Sequence, residues 1–210
     1  MMLDAATANR FHEKFNFKLT QAYGIIEIGL PCIDDPALPF SAGCVGRPSR
    51  NYELRLADVD AGCGRILLRG GGMFSGYFSP FERRGDGLEW FDTGDIGSIA
   101  DDGRLRIVGR AKQVIIFAGM KVFPGEVENV IRSFPGVADA ILYGELDPRH
   151  GEMPVADVVL HGGGGDASLK YALRRHCYAH LESYKVPKEI HFIAELEKTL
   201  SGKTRKSKNK

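Results

Sequence analysis

Four short stretches place chemically able side chains beside glycine, where a turn can present them. In the first, Gln21-Ala22-Tyr23-Gly24-Ile25-Ile26-Glu27, an aromatic ring that can stack on a base stands near a carboxylate that can hold a cation. The second is Phe91-Asp92-Thr93-Gly94-Asp95. Asp and Thr beside Gly make side-chain-to-backbone turns, and an Asp there can also accept two hydrogen bonds from ribose hydroxyls. The third is Gly109-Arg110-Ala111-Lys112-Gln113, continuing into Gly119-Met120-Lys121-Val122-Phe123-Pro124-Gly125-Glu126-Val127-Glu128. The fourth is Thr199-Leu200-Ser201-Gly202-Lys203-Thr204-Arg205, where Gly before Lys makes a flexible arm for a point charge. Each has a plainer reading. An aromatic next to Gly is commonly core, a hairpin leading into a helix carries charges on its solvent side, and a basic tail is commonly only solvated.

The elements that position these stretches change character along the chain. Residues 5–15 favour a helix, with Phe11 and Phe15 at i, i+4. Residues 51–56 alternate Tyr52, Leu54 and Leu56 against Glu53 and Arg55, the pattern of a half-buried strand. Residues 65–69 read as a second strand. Residues 96–100 and 105–108 read as a hairpin turned through Asp101-Asp102-Gly103. Beyond Arg110, residues 113–117 look strand-like. Pro124 then opens a helix whose apolar face is Val127, Val130, Ile131 and Phe134. Residues 137–143, 155–160 and 189–193 are expected strands. Ser168 is the expected cap of a helix through about Leu181, with Leu169, Leu173 and Cys177 on its buried stripe. The fold class is therefore α+β: a glycine-punctuated, β-rich, barrel-like or sandwich-like subdomain, then a small α+β unit, with a boundary at about residues 109–112.

Composition narrows the function classes. Lys plus Arg number 28 against 27 Asp plus Glu, a net charge of +1, which argues against bulk-charge binding to nucleic acid or a membrane surface. No apolar run approaches the ~20 residues of a membrane helix, and the first residues lack a signal-peptide core. The expected location is cytoplasmic. Cys32, Cys44, Cys63 and Cys177 match neither a CxxC zinc pair nor a redox motif, and read as thiols in a reducing compartment.

In combination the stretches say more. The order Y-G-x-x-E, T-G-D, G-R-x-K, G-x-K-V-x-x-x-E-V-E and S-G-K resembles the adenylate-forming (AMP-binding) superfamily: acyl- and aryl-CoA synthetases, luciferases and peptide-synthetase adenylation domains. Val45-Gly46-Arg47-Pro48 and the segment from Arg69-Gly70 to Gly76-Tyr77 agree, so the likeness runs from about Phe11 to Lys203. The resemblance implies that residues 1–110 are the C-terminal part of the large AMP-binding domain and residues 111–210 the mobile α+β lid. It implies activation of a small-molecule carboxylate with ATP to an acyl-adenylate, then transfer to CoA, with ATP/AMP, Mg²⁺ and CoA as cofactors. By the same resemblance Tyr23 would pack on adenine beside Gly24, and Glu27 would help hold Mg²⁺. Asp95 would take the ribose hydroxyls with Arg110 assisting. Lys203 would be the catalytic lysine and Lys112 the hinge, with Gly119 and Lys121 on the CoA side.

Two departures from the family pattern shape the expectation. Ile26 stands where the family usually has Thr, which removes a hydroxyl from the phosphate and metal side. Nothing upstream of Tyr23 resembles the Ser/Thr/Gly-rich phosphate loop. The chain therefore reads as a C-terminal portion of such a ligase, inactive alone, with a separate N-terminal half as a candidate partner. A carrier-protein-loading ligase fragment and a non-catalytic nucleotide- or partner-binding module are the alternatives. If a missing half covers residues 11–77, the isolated chain would expose apolar surface and form a homodimer.

Overall fold

The computed structural model describes residue 3 and residues 5–83 and 89–197. The chain divides into two compact units, Met1–Ala111 and Lys112–Lys210.

In the first unit, helix α1 (Ala5–Phe15) precedes a hairpin of β1 (Ala22–Ile25) and β2 (Gly29–Ile33), to which β3 (Arg47–Pro48) adds as the third strand. The Phe11 and Phe15 rings do meet, at 4.6 Å between centroids, and Phe17 joins them. A second sheet has the order β4 (Tyr52–Asp60), β5 (Cys63–Gly70), β8 (Phe91–Ile99), β9 (Leu105–Arg110), all antiparallel. Strands β6 (Gly76–Tyr77) and β7 (Glu82–Arg83) pair separately. The alternation of β4 has its expected consequence: Tyr52, Leu54 and Leu56 pack against a core that includes Ile66 and Leu68 of β5 and Leu105 of β9. Tyr23, Ile28, Cys32 and Val45 join the same core, so the two larger sheets share it. Each fully buried aliphatic side chain there contributes about 1.5–3 kcal/mol. The strands fall into three open sheets, and among the described residues none closes into a barrel.

The expected 96–100/105–108 hairpin forms within β8 and β9, with Ile99 opposite Leu105. Asp102 closes its turn by accepting from the Arg104 backbone N–H at 3.1 Å and from Arg104 Nε at 2.7 Å.

A 3₁₀ turn, Ala111–Gln113, crosses the unit boundary, so the strand expected from residue 113 starts later, as β10 (Ile115–Phe117). β11 (Met120–Val122) pairs back on it. Then come α2 (Pro124–Arg132), the long hairpin β12 (Val137–Asp147) and β13 (Gly151–Leu160), α3 (Ala167–His180) and β14 (Glu189–Ile193). β13 is central, antiparallel to β12 and parallel to β14. Two parallel neighbours need a crossover, and α3 provides it. One sheet face, with Ala140, Leu142, Ala156 and Val158, packs on Val127 and Ile131 of α2 and Leu173 and Cys177 of α3. Leu169, expected on that stripe, is only half-buried. The cap of α3 is Asp166, not Ser168: its carboxylate accepts from the Leu169 N–H at 2.8 Å. A cap must reach the amide three residues on from outside the helix, and Ser168 already lies within the first turn.

Candidate nucleotide site

The T-G-D stretch lies on a bulge. Opposite β5, Arg65 pairs with Ile96 but Leu67 pairs with Asp92, so Thr93, Gly94 and Asp95 loop out of the ladder. The loop satisfies itself. Thr93 Oγ1 donates to the Ile66 carbonyl at 3.0 Å and accepts from the Asp95 N–H at 3.1 Å, and Asp92 accepts from the Gly94 N–H at 2.9 Å. A bulge re-aims the side chain it carries, and here that side chain is Asp95, only 4% exposed.

A buried carboxylate needs partners, and two of the residues expected at the site supply them. The Tyr23 hydroxyl donates to Asp95 Oδ2 at 2.5 Å, and Arg110 Nε lies 2.7 Å from Asp95 Oδ1. Arg110 reaches it because Asp95 and Arg110 are directly paired across β8 and β9. Burial, then the bond to Asp95, pushes the Tyr23 phenol well above its ordinary range, so it stays a donor. Each carboxylate oxygen has about two lone-pair sites. With one used on each, Asp95 keeps one acceptor direction per oxygen, which suits a pair of vicinal hydroxyls. The Tyr23 ring is buried in the core, and its hydroxyl contact with Asp95 is one that sequence spacing did not reveal.

Gly24 and Glu27 belong to the β1–β2 hairpin. A Cβ at Gly24 would lie 2.4 Å from the Gly29 carbonyl oxygen, so only glycine fits that close approach. In the turn, Ile26 is fully exposed and Glu27 half-buried. The Glu27 backbone carbonyl accepts from the Phe74 N–H at 2.8 Å, and its Oε1 accepts from the Tyr77 hydroxyl at 3.3 Å. Among the described residues no group of three or more His, Cys, Asp or Glu could hold a metal. A lone hard carboxylate fits Mg²⁺, which is commonly held by one or two carboxylates plus substrate phosphates and water.

The remaining expected residues lie in the second unit. Lys112 is exposed in its opening 3₁₀ turn. Ala118 and Gly119 form the two-residue turn between β10 and β11 with φ of 50° and 79°. Two positive φ values are what a type I′ hairpin turn requires, and Gly meets its half without strain. Lys121 is exposed on β11 opposite Ile116. The turn is anchored: the Ala118 N–H donates to the His150 carbonyl at 2.7 Å. Lys203 lies outside the described residues.

Residues 126–203 match the AMP-binding enzyme C-terminal domain. The sulfoacetate–CoA ligase of Cupriavidus necator is 34% identical, over 94% of this chain and 40% of that enzyme. This chain belongs to the adenylate-forming superfamily, as a C-terminal portion. The 4-coumarate–CoA ligase 1 of Solanum tuberosum is also 34% identical, over 90% of this chain and 37% of the relative. The ATP-bound structure of MatB from Rhodopseudomonas palustris aligns with a TM-score of 0.81 and 28% identity, over 97% of this chain and 42% of that one. The superfamily chain thus spans roughly two fifths of the length of the proteins it matches. No helix among the described residues is long and apolar enough to cross a membrane.

Proposed function

We propose that this chain supplies the adenosine-side contacts and the C-terminal domain of an ATP-dependent acyl- or aryl-CoA ligase acting in the cytoplasm. In that reaction a carboxylate oxygen attacks the α-phosphorus of ATP and pyrophosphate leaves. A CoA thiol then attacks the acyl carbon and AMP leaves. The observation that carries the reading is the buried Asp95 carboxylate, held by Tyr23 on one oxygen and Arg110 on the other; the lone-pair capacity beyond those two bonds would serve the ribose hydroxyls. Gly24 lets the hairpin close tightly beside Tyr23. Glu27 would hold Mg²⁺, which when bound offsets phosphate charge. Residues 1–110 would be the end of the large domain and residues 111–210 the mobile domain, with Lys112 as hinge. Lys203 would stabilise charge gathering at the α-phosphate, an effect worth a few kcal/mol, about 10²-fold or more in rate. Gly119 and Lys121 would face CoA.

In this reading the 210-residue chain, which aligns with 40% of the sulfoacetate–CoA ligase and has no stretch resembling the Ser/Thr/Gly-rich phosphate loop, would bind AMP without turning over. With ATP, Mg²⁺ and a panel of carboxylates the purified protein should release no pyrophosphate. Titration with AMP should give a heat signal that Asp95→Asn weakens by about tenfold or more, some 1.4 kcal/mol. Robust pyrophosphate release would overturn the inactivity, and AMP binding indifferent to Asp95→Asn would overturn the site.

A further inference from the structure

Two histidines outside the nucleotide site stand one turn apart on α3. His176 and His180 have ring centroids 4.4 Å apart and planes tilted by 41°. The i, i+4 spacing makes such side chains neighbours on one helix face. One nitrogen of each ring is committed to a backbone carbonyl. His176 Nε2 lies 3.2 Å from the Val130 oxygen, and His180 Nδ1 lies 2.9 Å from the His176 oxygen. Carbonyls only accept, so both nitrogens carry protons. Ser133 agrees: its hydroxyl donates to the Val130 carbonyl at 2.7 Å, which leaves its oxygen to accept from His176 Nε2 at 3.0 Å. The lone pairs therefore sit on His176 Nδ1 and His180 Nε2. A ring N–H tied to a carbonyl, with the other nitrogen bearing its lone pair, is the outer-shell arrangement of metal-ligating histidines. Phe134 packs edge-on against the half-buried His176 at 5.4 Å, while His180 is exposed.

The separation is compatible with a shared ion. With metal–nitrogen bonds of about 2.0–2.1 Å, each ring centroid sits about 3.2 Å from the ion. Two imidazoles at a right angle then have centroids about 4.5 Å apart, against about 5.2 Å at the tetrahedral angle. The observed 4.4 Å is nearer the right-angle separation than the tetrahedral one, and right-angle arrangements are the preference of Cu²⁺ and Ni²⁺ with nitrogen ligands.

We propose that His176 and His180 form a divalent transition-metal site in the second unit, taking Cu²⁺ or Ni²⁺ through His176 Nδ1 and His180 Nε2, with water in the other positions. The site is independent of the ligase reading and would cross-link the last turn of α3. The test uses the 210-residue protein, with Ni²⁺ by calorimetry and Cu²⁺ by electron paramagnetic resonance. One ion per chain should bind, the Cu²⁺ spectrum should show two imidazole nitrogens, and Ni²⁺ should raise Tm. His180→Asn, an exposed change whose fold is checked by circular dichroism, should weaken binding by roughly tenfold or more and abolish the Tm shift. His150→Asn and His191→Asn, which stand beside Asp147 and Asp157, should change nothing. Absence of binding, binding unaffected by His180→Asn, or binding lost with either control variant would overturn the site.

Discussion

Tyr23→Phe isolates one hydroxyl. The ring stays in the core, so no cavity forms, and Arg110 still pairs with Asp95 Oδ1. What disappears is the 2.5 Å bond to Oδ2 of a carboxylate that is 4% exposed. A hydrogen bond to a charged group contributes about 1.5–3 kcal/mol, and the stranded acceptor keeps its desolvation cost. A loss of about 2 kcal/mol, with a urea slope of about 2 kcal/mol/M, lowers the unfolding midpoint by about 1 M. The chain has one tryptophan, Trp90, in the first unit and stacked by Arg55 and Arg69 at 4.3 and 4.8 Å. Its emission therefore follows the unit that contains the substitution. The sign of the pH dependence follows from the raised Tyr23 phenol. Below about 10, the ordinary tyrosine value, both states keep the proton and the contribution is whole. As pH rises past that value the unfolded chain loses its proton while the folded one holds it, so stability falls. Tyr23→Phe lacks that proton, and its stability should decline less steeply in this range. An unchanged midpoint, or an alkaline slope identical to the wild type, would refute the claim that this bond holds Asp95 in place.

Two further substitutions probe the second unit. Ile131→Ala removes a fully buried side chain from the α2–sheet interface and should cost about 2–5 kcal/mol by circular dichroism-monitored unfolding; a loss under about 1 kcal/mol would mean the interface collapses onto the gap. Asp166→Ala deletes the 2.8 Å cap on Leu169 and should cost about 1 kcal/mol. Faster amide exchange in the first turn of α3 is the local readout, and uniform protection there would contradict the cap.

Much of the fold was legible because local pattern decided it. Tyr52, Leu54 and Leu56 alternate, and Pro124 with Val127 and Ile131 announces a helix with one apolar face. The cap of α3 was harder. Asp166 and Ser168 are both good capping residues, and only the backbone shows which lies outside the helix. The site was legible as a list and not as a geometry. Tyr23 and Asp95 are 72 residues apart in sequence, and nothing in either motif says that the hydroxyl of one meets the carboxylate of the other. The bulge that aims Asp95 is equally silent, since it arises from a mismatch of register between β5 and β8. His176 and His180 are the opposite case: their i, i+4 spacing is plain, but which nitrogen is left bare depends on the Val130 and His176 carbonyls.

The distribution of site residues between the two units carries its own argument. Tyr23, Asp95 and Arg110 are bonded to one another inside Met1–Ala111. Holding a ribose would therefore need nothing from the second unit, because the carboxylate is already buried, paired and aimed. The lysines given roles in transfer all follow: Lys112, Lys121 and Lys203 lie in Lys112–Lys210. A grip paired before the ligand arrives spends little on reorganisation. A cation needed only as charge develops can be carried on a part that moves. Nucleotide affinity in this chain should accordingly follow Tyr23 and Asp95 while remaining indifferent to Lys121→Ala. AMP titration of that variant decides the matter: a loss as large as that of Asp95→Asn would show that the two units hold the nucleotide together.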